Sequence, residues 1–255
     1  MTGQKEFAGK VAFVTGAAGG IGAAVVSALA QEGARVFATD IIYPDEIADH
    51  ENVYHSLLDV SDPKAMKEQI AQAENLFGPI DLGVSVAGIL KTGLVVETDA
   101  EDWQRVFDVN AGGVFHFGKA LADVMIPRKR GAIVTVSSNA AGIPRHGMSA
   151  YASSKAAATM FTRCLGLELA AYGIRCNVVA PGSTRTQMLA DMTGDEATMA
   201  RLIDGVPETF KTGIPLRKLA QADDVAQAVL FLLSERASHI TMTDIYVDGG
   251  ATQRA

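Results

Sequence analysis

Short apolar, β-branched runs alternate along this chain with longer stretches of helical periodicity. The runs at 11–14, 34–39, 53–58, 80–86, 132–136, 174–179 and 244–247 are each a few residues long. Several lack the polar–apolar alternation of a half-exposed strand, as expected of strands buried on both faces in a parallel sheet. The segments between them carry helix-start signals. Asp62 precedes Pro63, a capping acid followed by proline at the first helical position. Thr98 and Glu101 have the spacing of a capping box ahead of the helix that carries Trp103. Asp223 and Asp224 stand at another helix start and read as capping acids rather than acid–base groups. No linker or low-complexity stretch interrupts this alternation. Residues 1–255 are therefore expected to form one doubly wound α/β domain of Rossmann type, with about seven parallel strands and helices on both faces.

Composition narrows the function classes. Hydrophobic residues make up 48% and charged residues 20%, as in an ordinary globular protein. A net charge of −7 and the lack of a basic block argue against a nucleic-acid surface, while leaving room for a local cationic pocket. The N-terminal residues are polar and no apolar run reaches membrane-spanning length, so no membrane partner is expected. Cys164 and Cys176 fall in a helix-like and a strand-like segment and are expected to be core thiols in a reducing cytoplasm. His50 to His55 resembles the zinc motif H-E-x-x-H but is one residue too long to place both imidazoles on one helix face, and no metal site is expected.

Two stretches carry candidate chemistry. Gly16, Gly20 and Gly22 lie between the first strand and a helix running to about residue 31. Such a turn brings backbone N–H groups close to a pyrophosphate. Asp40 follows about twenty residues on, where a carboxylate accepts ribose hydroxyls and repels a 2′-phosphate. No basic residue stands in the glycine turn or just after Asp40, a combination that favours NAD over NADP. Further along, Ser138 follows the run at 132–136, and Tyr151 and Lys155 are four apart on the next helix, on one face. A tyrosine pKa of about 10 must fall by about three units for base work at neutral pH. One cation supplies about one to three. A lysine and an oxidised nicotinamide together meet that requirement.

Together with Asn110 in Asp108-Val109-Asn110-Ala111-Gly112 and the segment Pro181-Gly182-Ser183-Thr184-Arg185-Thr186, these residues resemble the short-chain dehydrogenase/reductase family over essentially the whole chain. The resemblance implies a catalytic tetrad of Asn110, Ser138, Tyr151 and Lys155. It implies NAD contacts at Gly16, Gly20, Ile21, Gly22, Asp40, Asp59, Val60, Ala87, Gly88, Pro181, Gly182 and Thr186, and a homotetramer. Ser85 departs from the family's N-x-A-G, where asparagine would reach further. Residues 87–91, 144–151, 210–216 and 237–241 also resemble one branch of the family, which makes the catechol 2,3-dihydroxybenzoate for siderophores. That implies a small anionic cyclic diol as substrate.

On this reading Tyr151 removes a proton from a ring hydroxyl, Lys155 lowers its pKa and holds the nicotinamide ribose, and Ser138 bonds the substrate oxygen. Asn110 is expected to hold a water linking Lys155 to solvent. The substrate carboxylate calls for a cation, with Arg145 first, Lys91 second and Arg185 third. Residues 187–212 are expected to form a helical lid, with Met148 and Met188 at the substrate. The segment 151–171 is apolar on more than one face, through Ala156, Ala157, Met160, Phe161, Leu165 and Leu167, which suggests a subunit interface. Competing readings are another alcohol dehydrogenase or 3-ketoacyl reductase of the same family, or a nucleotide-binding regulator without activity.

Overall fold

The computed structural model describes residues 5–43 and 50–253; Met1–Gln4 of the polar N-terminus lie outside them. β1 (Val11–Thr15) leads through the glycine turn into α1 (Gly20–Gln31), followed by β2 (Arg35–Asp40) and β3 (Val53–Leu57). Next come α2 (Pro63–Phe77), β4 (Leu82–Ser85), α3 (Ala100–Phe107) and α4 (Gly113–Met125). The second half holds β5 (Gly131–Val136), α5 (Ser149–Leu169), β6 (Ile174–Pro181), α6 (Gln187–Thr193) and α7 (Glu196–Asp204). A short ribbon, β7 (Gly205–Val206) and β8 (Lys211–Thr212), precedes α8 (Ala222–Leu233) and β9 (Asp244–Val247).

Seven strands form one sheet in the order β3-β2-β1-β4-β5-β6-β9, every pair parallel. The chain reverses its direction of travel after β3, returning to place β4 beside β1. That switch point opens a crevice at the carboxyl ends of β1 and β4, where open α/β sheets bind ligands. Side chains alternate along β1, so Ala12 and Val14 join one core with Val25 and Leu29 of α1 and Val225 and Val229 of α8. Val11 and Phe13 join the core on the other face with Met66, Phe117 and Leu121. Phe13 stacks on Phe37 at 5.5 Å. Burial on both faces explains why the central strands read as unbroken apolar runs.

Several helix starts follow the sequence signals. Asp62 accepts from the N–H groups of Lys64 and Ala65 ahead of Pro63. Asp224 accepts from the Gln221 N–H, a capping role. The expected box at Thr98 is corrected. Asp99 caps α3 by accepting from Asp102 N at 2.7 Å, while the Thr98 hydroxyl donates to the Leu94 carbonyl. The carboxylate is the stronger acceptor for a helix N-terminus. Cys164 is a second correction, because it lies on the exposed side of α5, whereas Cys176 is buried in β6. No helix among the described residues is long and apolar enough to cross a membrane.

The glycine turn is the tightest packing in the frame. A Cβ on Gly22 would overlap the carbonyl oxygen of Gly16, whereas a Cβ on Gly19 would meet that oxygen at 3.6 Å, an ordinary contact. Gly22→Ala should therefore lower unfolding free energy by about 3 kcal/mol. Gly19→Ala should cost about 1 kcal/mol or less. Denaturant midpoints of the two variants check this contrast.

Candidate active site

Beyond the carboxyl ends of β5 and β6 lies a cavity of about 490 Å³, lined by Ser138, Tyr151, Gly182 and Thr186 among others. β5 delivers Ser137 and Ser138. The Ser137 hydroxyl donates to the Lys155 carbonyl at 3.1 Å and shares a 2.7 Å bond with Thr159, fastening α5 to the strand end. Ser138 Oγ accepts from Ala140 N at 3.1 Å and stands beside the Tyr151 phenol, where it favours the phenolate. Tyr151 and Lys155 share a face of α5, and Lys155 Nζ lies 5.9 Å from the Tyr151 ring centroid.

Lys155 is 4% exposed and donates to the Val136 carbonyl at 3.1 Å. Burial pulls its ammonium down to about 8. Burial pushes the Tyr151 phenol above its usual 10, and Ser138 offsets only part of this. The lowering expected from the sequence calls for an oxidised nicotinamide as well as Lys155. Removal from water dominates both groups, and the lysine is turned towards a carbonyl.

Asn110 sits in a π turn (Asp108–Gly112) that joins α3 to α4, a local widening often found at functional positions. Its Nδ2 donates to Ile89 O at 2.9 Å and to Ser154 Oγ at 3.0 Å, and Oδ1 accepts from Ile89 N at 2.8 Å. Ser154 Oγ in turn donates to the Tyr151 carbonyl at 2.8 Å. The amide thus pins the end of β4 to α5. Both of its N–H groups are engaged, leaving one lone pair of Oδ1 for a water. Gly88 makes room for this junction: a Cβ there would come 3.1 Å from Lys155 Nζ and 3.2 Å from Asn110 Oδ1.

The dinucleotide half of the crevice is built from backbone. Gly16 has φ +68°, and a Cβ on it would press into the backbone of Ala87. Gly20 faces the Thr186 side chain, and α1 opens with no acidic residue in its first turn. Asp40 Oδ2 accepts from Ala18 N at 2.9 Å and Oδ1 from Ile41 N at 2.7 Å, tying the acid to the glycine turn with further lone pairs free. Asp59 accepts from the hydroxyl and N–H of Ser61, which hold its carboxyl below the usual range. The Val60 side chain is buried beside Gly113. Pro181 ends β6, and Gly182 N donates to Val247 O at 3.0 Å. This cradle without side chains, with an acid at its far end, fits a nicotinamide dinucleotide. Ser85, in the position of the family's asparagine, is buried between Thr15 and Thr135.

The substrate half departs further from expectation. Arg145, Met148 and Met188 line the cavity together with Ile21. Lys91 is corrected: it pairs with Asp102 at 3.2 Å on the surface and is not part of the lining. Arg185 is exposed and also outside it. A cation the sequence reading passed over, Lys211, lines the same cavity. It comes from the β7–β8 ribbon, whose two-residue strands are too short to show a period. The segment expected to be a helical lid is α6, α7 and this ribbon, and Leu189 and Leu202 face both the cavity and a small core with Ile214. A second cavity, of about 660 Å³, lies at the opposite edge of the sheet. Its arginines are engaged: Arg130 pairs with Asp81, Arg236 with Glu6, and Arg175 donates to three carbonyls at the end of α8.

A seven-stranded parallel sheet with this order of parts is the architecture of nicotinamide-dependent oxidoreductases. The family model described as "Enoyl-(Acyl carrier protein) reductase" matches residues 16–252. The chain is 51% identical to 2,3-dihydro-2,3-dihydroxybenzoate dehydrogenase of Bacillus subtilis, over 97% of this chain and 98% of that enzyme. It is 42% identical to the enzyme of the same name in Escherichia coli, over 97% and 98%. Aldohexose dehydrogenase of Thermoplasma acidophilum superposes with a TM-score of 0.88 at 32% identity, covering 99% of this chain and 98% of that one. The chain belongs to the short-chain dehydrogenase/reductase family. It is an oxidoreductase acting on CH–OH donors with a nicotinamide cofactor.

The depressed Lys155 pKa has a consequence for stability. Between about 8 and 10.5 the unfolded chain binds the lysine proton more tightly than the folded one. The cost of the buried ammonium is thus fully present below pH 8 and is relieved as pH rises. Unfolding free energy of the native protein relative to Lys155→Met should climb from pH 8 towards 10, by at most about 1.4 kcal/mol per pH unit. Parallel denaturant titrations measure this difference, and a flat profile would contradict it.

Proposed function

We propose that this protein oxidises 2,3-dihydro-2,3-dihydroxybenzoate to the catechol 2,3-dihydroxybenzoate with NAD, a step in making a siderophore. The observation that carries the reading is the half-buried Arg145 in the cavity that Tyr151 lines, with no ion-pair partner among the described residues. A planar guanidinium there suits the substrate's carboxylate. Sequence identity to two enzymes of that name supports the same substrate. Asp40 supports NAD, because a 2′-phosphate would meet its carboxylate.

In the reaction, Tyr151 as phenolate takes the proton of the ring hydroxyl. Ser138 donates a hydrogen bond to the same substrate oxygen and stabilises the charge that develops there. A bound oxidised nicotinamide would supply the hydride acceptor and a second positive charge. Lys155 supplies the other cation, and the two together bring the buried phenol into range. Asn110 works by position, through Ile89 and Ser154, and has one lone pair for a relay water. Gly16, Gly20, Ile21 and Gly22 would hold the pyrophosphate, Asp40 the adenosine ribose, and Asp59, Val60, Ala87 and Gly88 the adenine side. Pro181, Gly182 and Thr186 would flank the nicotinamide. The dienone product aromatises without further catalysis.

The proposed enzyme is one cytoplasmic domain with residues 187–212 as a lid. It works as a homotetramer. Exposed apolar side chains on α4 and α5 support this: Phe115, edge-on to Phe161, with Met160 and Leu167 55% and 68% exposed.

The direct test is NADH formation from the dihydrodiol acid, compared with a neutral cyclohexanol and with NADP. Tyr151→Phe should lower kcat by about a thousandfold while leaving NADH affinity intact, as measured by turnover and by titration. Arg145→Ala should raise KM for the acidic substrate by about 10–100-fold and leave the neutral alcohol nearly unchanged. Equal effects on the two substrates would remove Arg145 from the carboxylate site.

A further inference from the structure

We propose that Lys211 is the second arm of an anion clamp whose first arm is Arg145, and that this pair selects for a carboxylate on the ring. The inference rests on the function proposed above for the identity of the acid, but the clamp itself is argued from the geometry of the cavity.

The two cations reach one cavity from separate segments of the chain. Arg145 comes from the loop between β5 and α5, and Lys211 from β8 in the covering segment. Both are partly buried, and neither has an ion-pair partner among the described residues. Their neighbours behave differently: in the same covering segment Arg201 pairs with Glu208, and just beyond it Arg217 pairs with Asp204, both out in solvent. The acid closest in influence to Arg145 is Asp248, whose carboxylate already accepts from Gly250 N, Thr252 N and Asn139 Nδ2. Burial and the facing guanidinium together pull the Lys211 ammonium down to about 8. Two like charges in a partly desolvated cavity repel, and a carboxylate between them, one oxygen to each, turns repulsion into attraction.

The ribbon is shaped to present this lysine. Val206 pairs with Lys211 across the two short strands. Phe210 between them has φ 55°, a left-handed conformation that is unfavourable for a bulky side chain. Its ring is 93% exposed at the rim of the cavity, while Lys211, also in the lining, is partly buried. Thr212 Oγ1 donates to Ala251 O at 3.2 Å and Ile214 N to Ile203 O at 2.8 Å, fixing the ribbon at both sides. Backbone strain held by surrounding bonds next to a cation lining a cavity is the pattern of a binding position. Because Lys211 rides on the covering segment, a bound carboxylate also ties that segment to the loop before α5.

The test is calorimetric titration of NADH-loaded protein with benzoate and with neutral benzyl alcohol. Lys211→Met should weaken benzoate by about tenfold and shift benzyl alcohol by less than about twofold, and Lys211→Arg should restore most of the benzoate affinity. Thermal melting checks that the variants are folded, and Lys211→Gln, with the same expected loss, carries the test if the methionine variant is not. The proposal is overturned if benzoate fails to bind the native protein, if Lys211→Met leaves benzoate unchanged, or if both ligands weaken equally. Lys211-dependent benzoate binding in a protein that does not turn over the dihydrodiol acid would uphold the clamp and reject the proposed substrate.

Discussion

A lysine ammonium buried against a single carbonyl is the constraint around which this site is arranged. Lys155 has given up water for the Val136 carbonyl and has no carboxylate paired with it among the described residues. An uncompensated buried charge is costly. It persists here because α5 is fastened to β5 through Ser137 and to β4 through Asn110 and Ser154. Gly88 leaves the space into which the amine fits. The folded state therefore holds a cation in a place where an added dinucleotide, and the oxygen of a substrate, would find charge already oriented. Preorganisation of this kind lowers a barrier because little needs to move when charge develops.

The crevice is polarised along its length. At the dinucleotide end, backbone N–H groups and the Asp40 carboxylate stand where glycines have cleared side chains away. At the other end Arg145 and Lys211 stand over apolar walls that include Met148, Met188 and Leu189. A chain of net charge −7 thus concentrates unpaired positive charge at one side of one cavity. A low-dielectric wall strengthens the attraction of each of those cations for any anion that enters.

Much of this was legible along the chain, because the signals were local and repeated. Parallel strands buried on both faces have to be continuous apolar runs, and the glycine turn admits no other residue where backbones touch. The Tyr151–Lys155 pair shares a face simply because a helix has 3.6 residues per turn. Asp62 and Pro63 announced α2 by the same local logic. What failed were the assignments in which neighbours compete. Thr98 lost its capping role to Asp99 once its hydroxyl found Leu94, and Lys91 was taken up by Asp102. Cys164 turned outward on a helix whose pattern alone did not say which face meets the sheet.

The amino-acid sequence by itself determined the strand–helix order, the glycine cradle, the acid at the end of β2 and the spacing of Ser138, Tyr151 and Lys155, since each depends on residues close together in the chain. Tertiary structure alone decided which cations remain unpaired beside the cavity, that Asn110 is spent on joining β4 to α5, and that burial pushes the Tyr151 phenol up. Those outcomes depend on who else is within a few ångströms and on how much water is excluded, and neither is written in local spacing.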